Sequence, residues 1–126
     1  MATRLYYLGN YLLVKAHHTY LDYFASGPLE WYPEWAIDLG APTTPATTQV
    51  SSLMSRGVYR RDFVKGSVLV NPSPSPVTVQ LGATMHQVTP TGGGAIDMAG
   101  AASGSLTMSP VTSVVVGATS AVILLQ

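Results

Sequence analysis

The chain contains no cysteine. That excludes a disulfide framework, a thiolate metal site and thiol redox chemistry, and it leaves the compartment open. Charge is scarce: six basic residues balance six acidic ones in 126 positions, so no large field exists to attract nucleic acid or an anionic membrane surface. No stretch approaches the roughly 20 apolar residues that a membrane-crossing helix needs. Residues 5–14 are apolar and follow Arg4, but Gly9, Asn10 and the tyrosines interrupt them and no small-x-small cleavage site follows. They read as structure rather than as a leader. Catalytic signatures are missing too. No G-x-S-x-G elbow occurs, Ser103-Gly104-Ser105 is a glycine turn, and Gly92-Gly93-Gly94 lacks the Lys-Ser/Thr of a phosphate loop.

What remains is unevenly spread. After Lys65 the only charged residue is Asp97, so solvation there must come from Ser, Thr, Gln, Asn and open backbone. Such a surface tolerates hydroxyl-rich partners, as in secreted carbohydrate-associated modules, and it favours self-association.

Leu5, Leu8, Leu12 and Val14 recur near a 3.6-residue period with Tyr7 and Tyr11 between them, which predicts a short helix over 4–15. Residues 19–24 have a buried-strand composition bounded by Ser26-Gly27-Pro28. Residues 29–42 (LEWYPEWAIDLGAP) place aromatics and acids around Pro33 and read as an ordered irregular loop. Residues 43–48 lack large apolar side chains and form the best linker, dividing an N-terminal extension (1–48) from a second domain (49–126).

Beyond the linker, seven short β-rich runs at 57–63, 67–71, 77–81, 84–89, 105–108, 113–116 and 121–125 are separated by Gly, Pro and Ser. The fold class expected is therefore mainly β: an antiparallel β-sandwich of about seven strands with a short α/β extension in front. Period-two alternation puts Val77, Val79 and Leu81 on one face and leaves Thr78 and Gln80 wet. Val68-Leu69-Val70 and Val122-Ile123-Leu124-Leu125 are continuously apolar and should be central strands. Residues 72–76 (PSPSP) cannot join a ladder and must turn between strands, while Gly92–94 and 100–104 read as flexible turns.

The run Tyr59-Arg60-Arg61-Asp62-Phe63-Val64-Lys65-Gly66-Ser67-Val68-Leu69-Val70-Asn71-Pro72-Ser73, followed by Val77-Thr78-Val79-Gln80-Leu81-Gly82, carries a resemblance. It resembles the stretch opening the C-terminal β-sandwich of glycoside-hydrolase-like proteins, which place that sandwich after a TIM-type barrel. Upstream, Tyr11-Leu12-Leu13-Val14, Thr19-Tyr20-Leu21, Tyr32-Pro33-Glu34 and Ile37-Asp38-Leu39-Gly40-Ala41-Pro42 are similar to the last helix, last strand and exit loop of such a barrel. The resemblance implies a tail lacking most of the barrel and the catalytic residues on its earlier strands. It also implies carbohydrate or a neighbouring catalytic barrel as partner, with no nucleic acid, no membrane and no cofactor involved.

Glycoside hydrolysis needs two carboxyl groups, about 5 Å apart for retention or 6.5–9.5 Å for inversion. The acids are Asp22, Glu30, Glu34, Asp38, Asp62 and Asp97. Glu30 and Glu34 flank Trp31, Tyr32 and Trp35 and would share a face if helical; Asp22 lies on the strand resembling the last of the barrel. These three are the catalytic candidates, set against a solvated, aromatic-packed loop rim as the favoured reading. Trp31, Trp35, Tyr32 and Tyr20 offer a platform for the C–H face of a sugar; packing as a hydrophobic cover is the favoured alternative. His17-His18 with a distant His86 makes a poor metal site, because adjacent strand residues point to opposite faces. Of Arg60 and Arg61, one should pair with Asp62 or an exit-loop carboxylate and the other face solvent.

Three functions follow: a non-catalytic, stabilising or weakly glycan-binding tail, a hydrolase with an open carboxylate site, and a self-associating structural module forming a homo-oligomer. The first fits best.

Overall fold

A computed structural model describes residues 2–16, 19–21, 27–45 and 47–126. The predicted helix is present as α1, Ala2–Val14. The predicted strand at 19–24 is not seen at 19–21, which carry no regular structure; 22–24 lie outside the described residues, as do His17, His18 and Asp22. The 29–42 loop contains a two-residue strand, β1 (Glu30–Trp31), and a 3₁₀ turn, Pro33–Ala36, which opens on proline.

The rest is antiparallel β: β2 (Met54–Ser55), β3 (Val58–Phe63), β4 (Gly66–Asn71), β5 (Val77–Gly92), β6 (Gly94–Ala95), β7 (Gly104–Val116) and β8 (Ser120–Leu125). Six of these make one sheet in the order β2-β3-β4-β8-β5-β7, and β1 pairs with β6. β4 and β8 are central, which is why their sequences run continuously apolar: every residue of β4 is buried.

Two pairs of expected strands are each one long strand. Residues 77–81 and 84–89 join as β5, and 105–108 and 113–116 join as β7, with a register shift between Gln80 and Met85 around Gly82 at φ 79°. A bulge there adds residues on one side of the ladder and bends the ribbon. The start of β5 and the end of β7 thus pack over the central strands: Val79, Leu81, Val114 and Val116 meet Val58, Leu69, Val122 and Leu124 in one dry cluster. The far half of β5 continues the sheet beside β8, through His86–Leu125, Gln87–Leu124 and Val88–Ile123.

The opposite face of the central strands is covered by α1. Leu8, Leu12 and Leu13 pack with Phe63, Val68, Val70, Ala121 and Ile123. Gly9 is the closest crossing, since a β-carbon there would sit 2.6 Å from Ala121 Cβ and 2.9 Å from Val70 Cγ2. Alternation along β4 and β8 supplies both interiors at once, with Val68, Val70, Ala121 and Ile123 toward the helix and Leu69, Val122 and Leu124 toward the ribbon. Among the described residues no helix is long and apolar enough to cross a membrane.

Polar side chains at three places lock these layers. Arg61, expected to face solvent if Arg60 took the acid, is instead 5% exposed. Its Nη1 donates to the carbonyls of Leu12, Leu13 and Lys15 at 3.0, 2.9 and 3.0 Å, capping the carbonyl end of α1, where a cation is favoured. Burial pulls its pKa down, yet an arginine stays charged. Arg60 does pair with Asp62, at 2.9 Å, and Ser67 donates to the same carboxyl oxygen at 2.6 Å. Asn71 is fully buried; its Nδ2 lies 2.8, 3.1 and 2.9 Å from the carbonyls of Ser75, Val116 and Gly117, and its Oδ1 accepts from the Ser73 N–H. The Asn-Pro step therefore ties the PSPSP turn to the β7–β8 turn.

Candidate functional site

The 29–42 loop is anchored at the far end of the β5–β7 ribbon. β1 pairs Glu30 with Ala95 and Trp31 with Gly94, and the Ile96 N–H donates to the Leu29 carbonyl. Pro33 then seats on two glycines. A β-carbon at Gly104 would lie 2.9 Å from Pro33 Cδ, and one at Gly93, whose φ is 84°, would lie 2.5 Å from Tyr32 Cδ1. Within the Gly92–94 run, which the sequence reads as a flexible turn, Gly93 is part of a docking seat where a β-carbon would collide with the loop.

Docking buries the middle of the loop. Pro33 is fully enclosed and Tyr32 and Glu34 are buried. The Glu34 carboxylate lies 3.0 Å from Arg4 Nε in the first turn of α1, a charge contact rather than an aligned hydrogen bond. The same guanidinium sits 4.0 Å over the Tyr32 ring and donates from Nη2 to the Gly92 carbonyl at 3.1 Å. A cation at a helix N-terminus opposes the macrodipole, so Arg4 is placed there by these partners. That misfit was the one sequence signal that could have exposed the pair.

Glu30 and Glu34 do not share a helical face, because Pro33 separates a strand from a 3₁₀ turn. The Tyr32 hydroxyl donates to Glu30 Oε2 at 2.7 Å. That bond to a carboxylate, with desolvation behind it, holds the phenol above its ordinary pKa. The other described acids are also engaged. Asp38 pairs with Lys65 and accepts the Gly40 N–H at 2.9 Å, which lowers its pKa, the Lys65 bond first. Asp62 holds Arg60 and Ser67. Asp97 Oδ1 accepts the N–H groups of Ala99 and Ala101, organising a turn. Asp22 lies outside the described residues, and among the described residues no three His, Asp or Glu are grouped to hold a metal.

The four aromatic candidates separate into two roles. Trp35 stands edge-on to Tyr32, with ring centroids 5.2 Å apart and planes at 80°. It is 40% exposed, and Tyr20 is 87% exposed. Trp35 and Tyr20, with Leu8, Tyr11, Thr19 and Leu21, line a cleft of about 270 Å³. The Tyr11 hydroxyl donates to the Thr19 carbonyl at 2.9 Å, fixing the wall that carries Tyr20. Tyr32 supports Trp35 from beneath, and Trp31 is half-buried on β1. The result is an apolar cleft with two accessible rings at its mouth and a buried ion pair behind it, an arrangement able to stack a ring-shaped ligand.

Comparison with known protein families matches residues 1–67 to a model described as hypothetical glycosyl hydrolase family 15. Those residues comprise α1, the aromatic loop, β2, β3 and the first two positions of β4. No curated protein and no solved structure matches the chain.

Proposed function

We propose, since the chain belongs to the hypothetical glycosyl hydrolase family 15, that its part in a glycoside-hydrolase-like protein is accessory: it steadies a neighbouring catalytic barrel and holds glycan weakly at Trp35 and Tyr20. The observation that carries this reading is the state of Glu34. Its carboxylate is sealed under the loop and neutralised by Arg4, whereas a glycosidase acid or nucleophile must reach a sugar. Glu30 is committed to Tyr32, so the loop acids build the aromatic wall. A cleft with two exposed rings and few fixed polar groups supports stacking of neutral sugar, with modest affinity.

The test is a panel of neutral oligosaccharides titrated while tryptophan fluorescence is followed, with Trp35→Ala as control, beside hydrolysis assays on Glu30→Gln, Glu34→Gln and Asp22→Asn. Saturable quenching that Trp35→Ala abolishes, without turnover, is the expected outcome. Turnover that any of the three acid variants removes would make the chain a hydrolase instead.

A second reading has its own observation. β7 is a 13-residue edge strand without a charged residue, and Met108 and Val115 are 54% and 61% exposed along it. Such an edge favours pairing with a second copy. Light scattering over a dilution series decides it, a monomer at every concentration being the losing result.

A further inference from the structure

The residues that follow the C-terminal end of α1 border a cavity of about 460 Å³, within the roughly 300–1,000 Å³ typical of small-molecule sites. Lys15, Arg61 and Thr44 line it together with the apolar Ala16, Ala41 and Pro42. The charge balance here is unusual. Arg61 is buried, and its bonds go to three carbonyls and to Thr44 Oγ1 at 3.3 Å from Nε. No carboxylate pairs with it among the described residues, although buried charges are ordinarily paired. The helix end supplies only about half a negative charge. Asp38, the acid that feels Lys15, is held by Lys65. Among the described residues, Lys15 and Arg61 thus leave the lining of the cavity positive.

The donors are equally specific. With Nη1 and Nε engaged, Arg61 Nη2 has no protein acceptor among the described residues, and Thr44 Oγ1, accepting from Nε, keeps its own proton to give. Lys15 adds an ammonium on a flexible stem. Two cations and a hydroxyl call for an acceptor-only anion, and the Ala16, Ala41 and Pro42 surface calls for a body with C–H faces.

We infer that this cavity binds a carboxylate carried on a sugar ring, that is, a uronic acid unit of an acidic saccharide. The carboxylate follows from the cavity's own charges, whereas the sugar body rests on the accessory reading above. This site is separate from the Trp35 cleft and selects by charge where that cleft selects by shape. A chain with so few charges would thereby distinguish acidic from neutral glycans through two residues.

The experiment is titration of the full chain with glucuronate, glucose and acetate, read by amide shifts in heteronuclear NMR. Glucuronate should give saturable shifts around Ala41 and Thr44, with glucose and acetate each roughly tenfold weaker or more, as expected for losing a charge-assisted bond or the ring contacts. Lys15→Met, which leaves the helix cap intact, should weaken glucuronate about five- to tenfold and reduce its salt dependence. Arg61→Lys, checked for folding by circular dichroism, should weaken it further. Equal binding of glucose and glucuronate, acetate binding as tightly as glucuronate, or an unchanged Lys15→Met affinity would each overturn the inference. Failure of neutral sugars to bind at Trp35, with the Lys15-dependent response intact, would sink the accessory reading and leave this site standing.

Discussion

Asn71 satisfies three carbonyls that no neighbouring residue in sequence could predict, two of them 45 and 46 positions away. Asn71→Ala should cost about 2–3 kcal/mol, because it strands buried acceptors rather than removing a matched pair, and urea unfolding would read it as a lower midpoint at unchanged slope. The Val-Leu-Val-Asn-Pro stretch was visible in the sequence, but why it needs asparagine was not. Alternation puts Arg60 and Arg61 on opposite faces without saying which of them meets an acid or what covers the other, so the cap that Arg61 forms on α1 is not legible in the sequence. At Tyr32 the sign of the pH response is fixed by its raised pKa. The neutral phenol is the form that folding favours, so its contribution is complete below the ordinary value near 10 and is lost as pH rises through the folded value. Alkaline unfolding should therefore steepen above about pH 10, and Glu30→Gln should move the late-titrating phenol to lower pH in ultraviolet difference spectra.

Helix α1 illustrates the element scale. Its period and length were legible because apolar spacing is local; its docking was not, because the signal for close approach is one glycine in mid-helix. Gly9→Ala gains about 1 kcal/mol of helix propensity, but its β-carbon would meet the Ala121 and Val70 side chains inside van der Waals distance, and overpacking costs about 1–3 kcal/mol. Net destabilisation is expected, read as a lower melting temperature with unchanged helical circular dichroism at 20–25 °C. A rise in melting temperature would mean that the helix stands off the sheet. β5 and β7 show the converse limit: β-rich composition marks both halves of each strand, but Gly82 reads as a break in β5, when a glycine at positive φ can equally carry the ladder around a bend.

Across the whole molecule, one central pair of strands with two apolar faces is covered by a helix on one side and by its own folded-over ribbon on the other. The β-rich class and the central strands were readable from composition and period, since both follow from burial. The aromatic loop's acids were readable as residues but not as a site, because their state depends on Arg4, which is distant in sequence, and on glycines at the far end of the ribbon. The same contacts that dock the loop remove Glu34 from solvent and leave Trp35 at the surface, so stability and one wall of the proposed binding surface share a cause, while the Tyr11–Thr19 bond sets the other wall.

The most direct measurement is a double-mutant cycle between Arg4→Met and Glu34→Gln, with melting and glycan hydrolysis recorded on each variant. Each single change should destabilise by about 2–4 kcal/mol, the double should cost much less than their sum because the Glu34 side chain is only 1% exposed, and no variant should differ from the parent in hydrolysis. Independent melting effects, with hydrolysis present in the parent and lost in Glu34→Gln, would show that the carboxylate acts on substrate and would contradict the account.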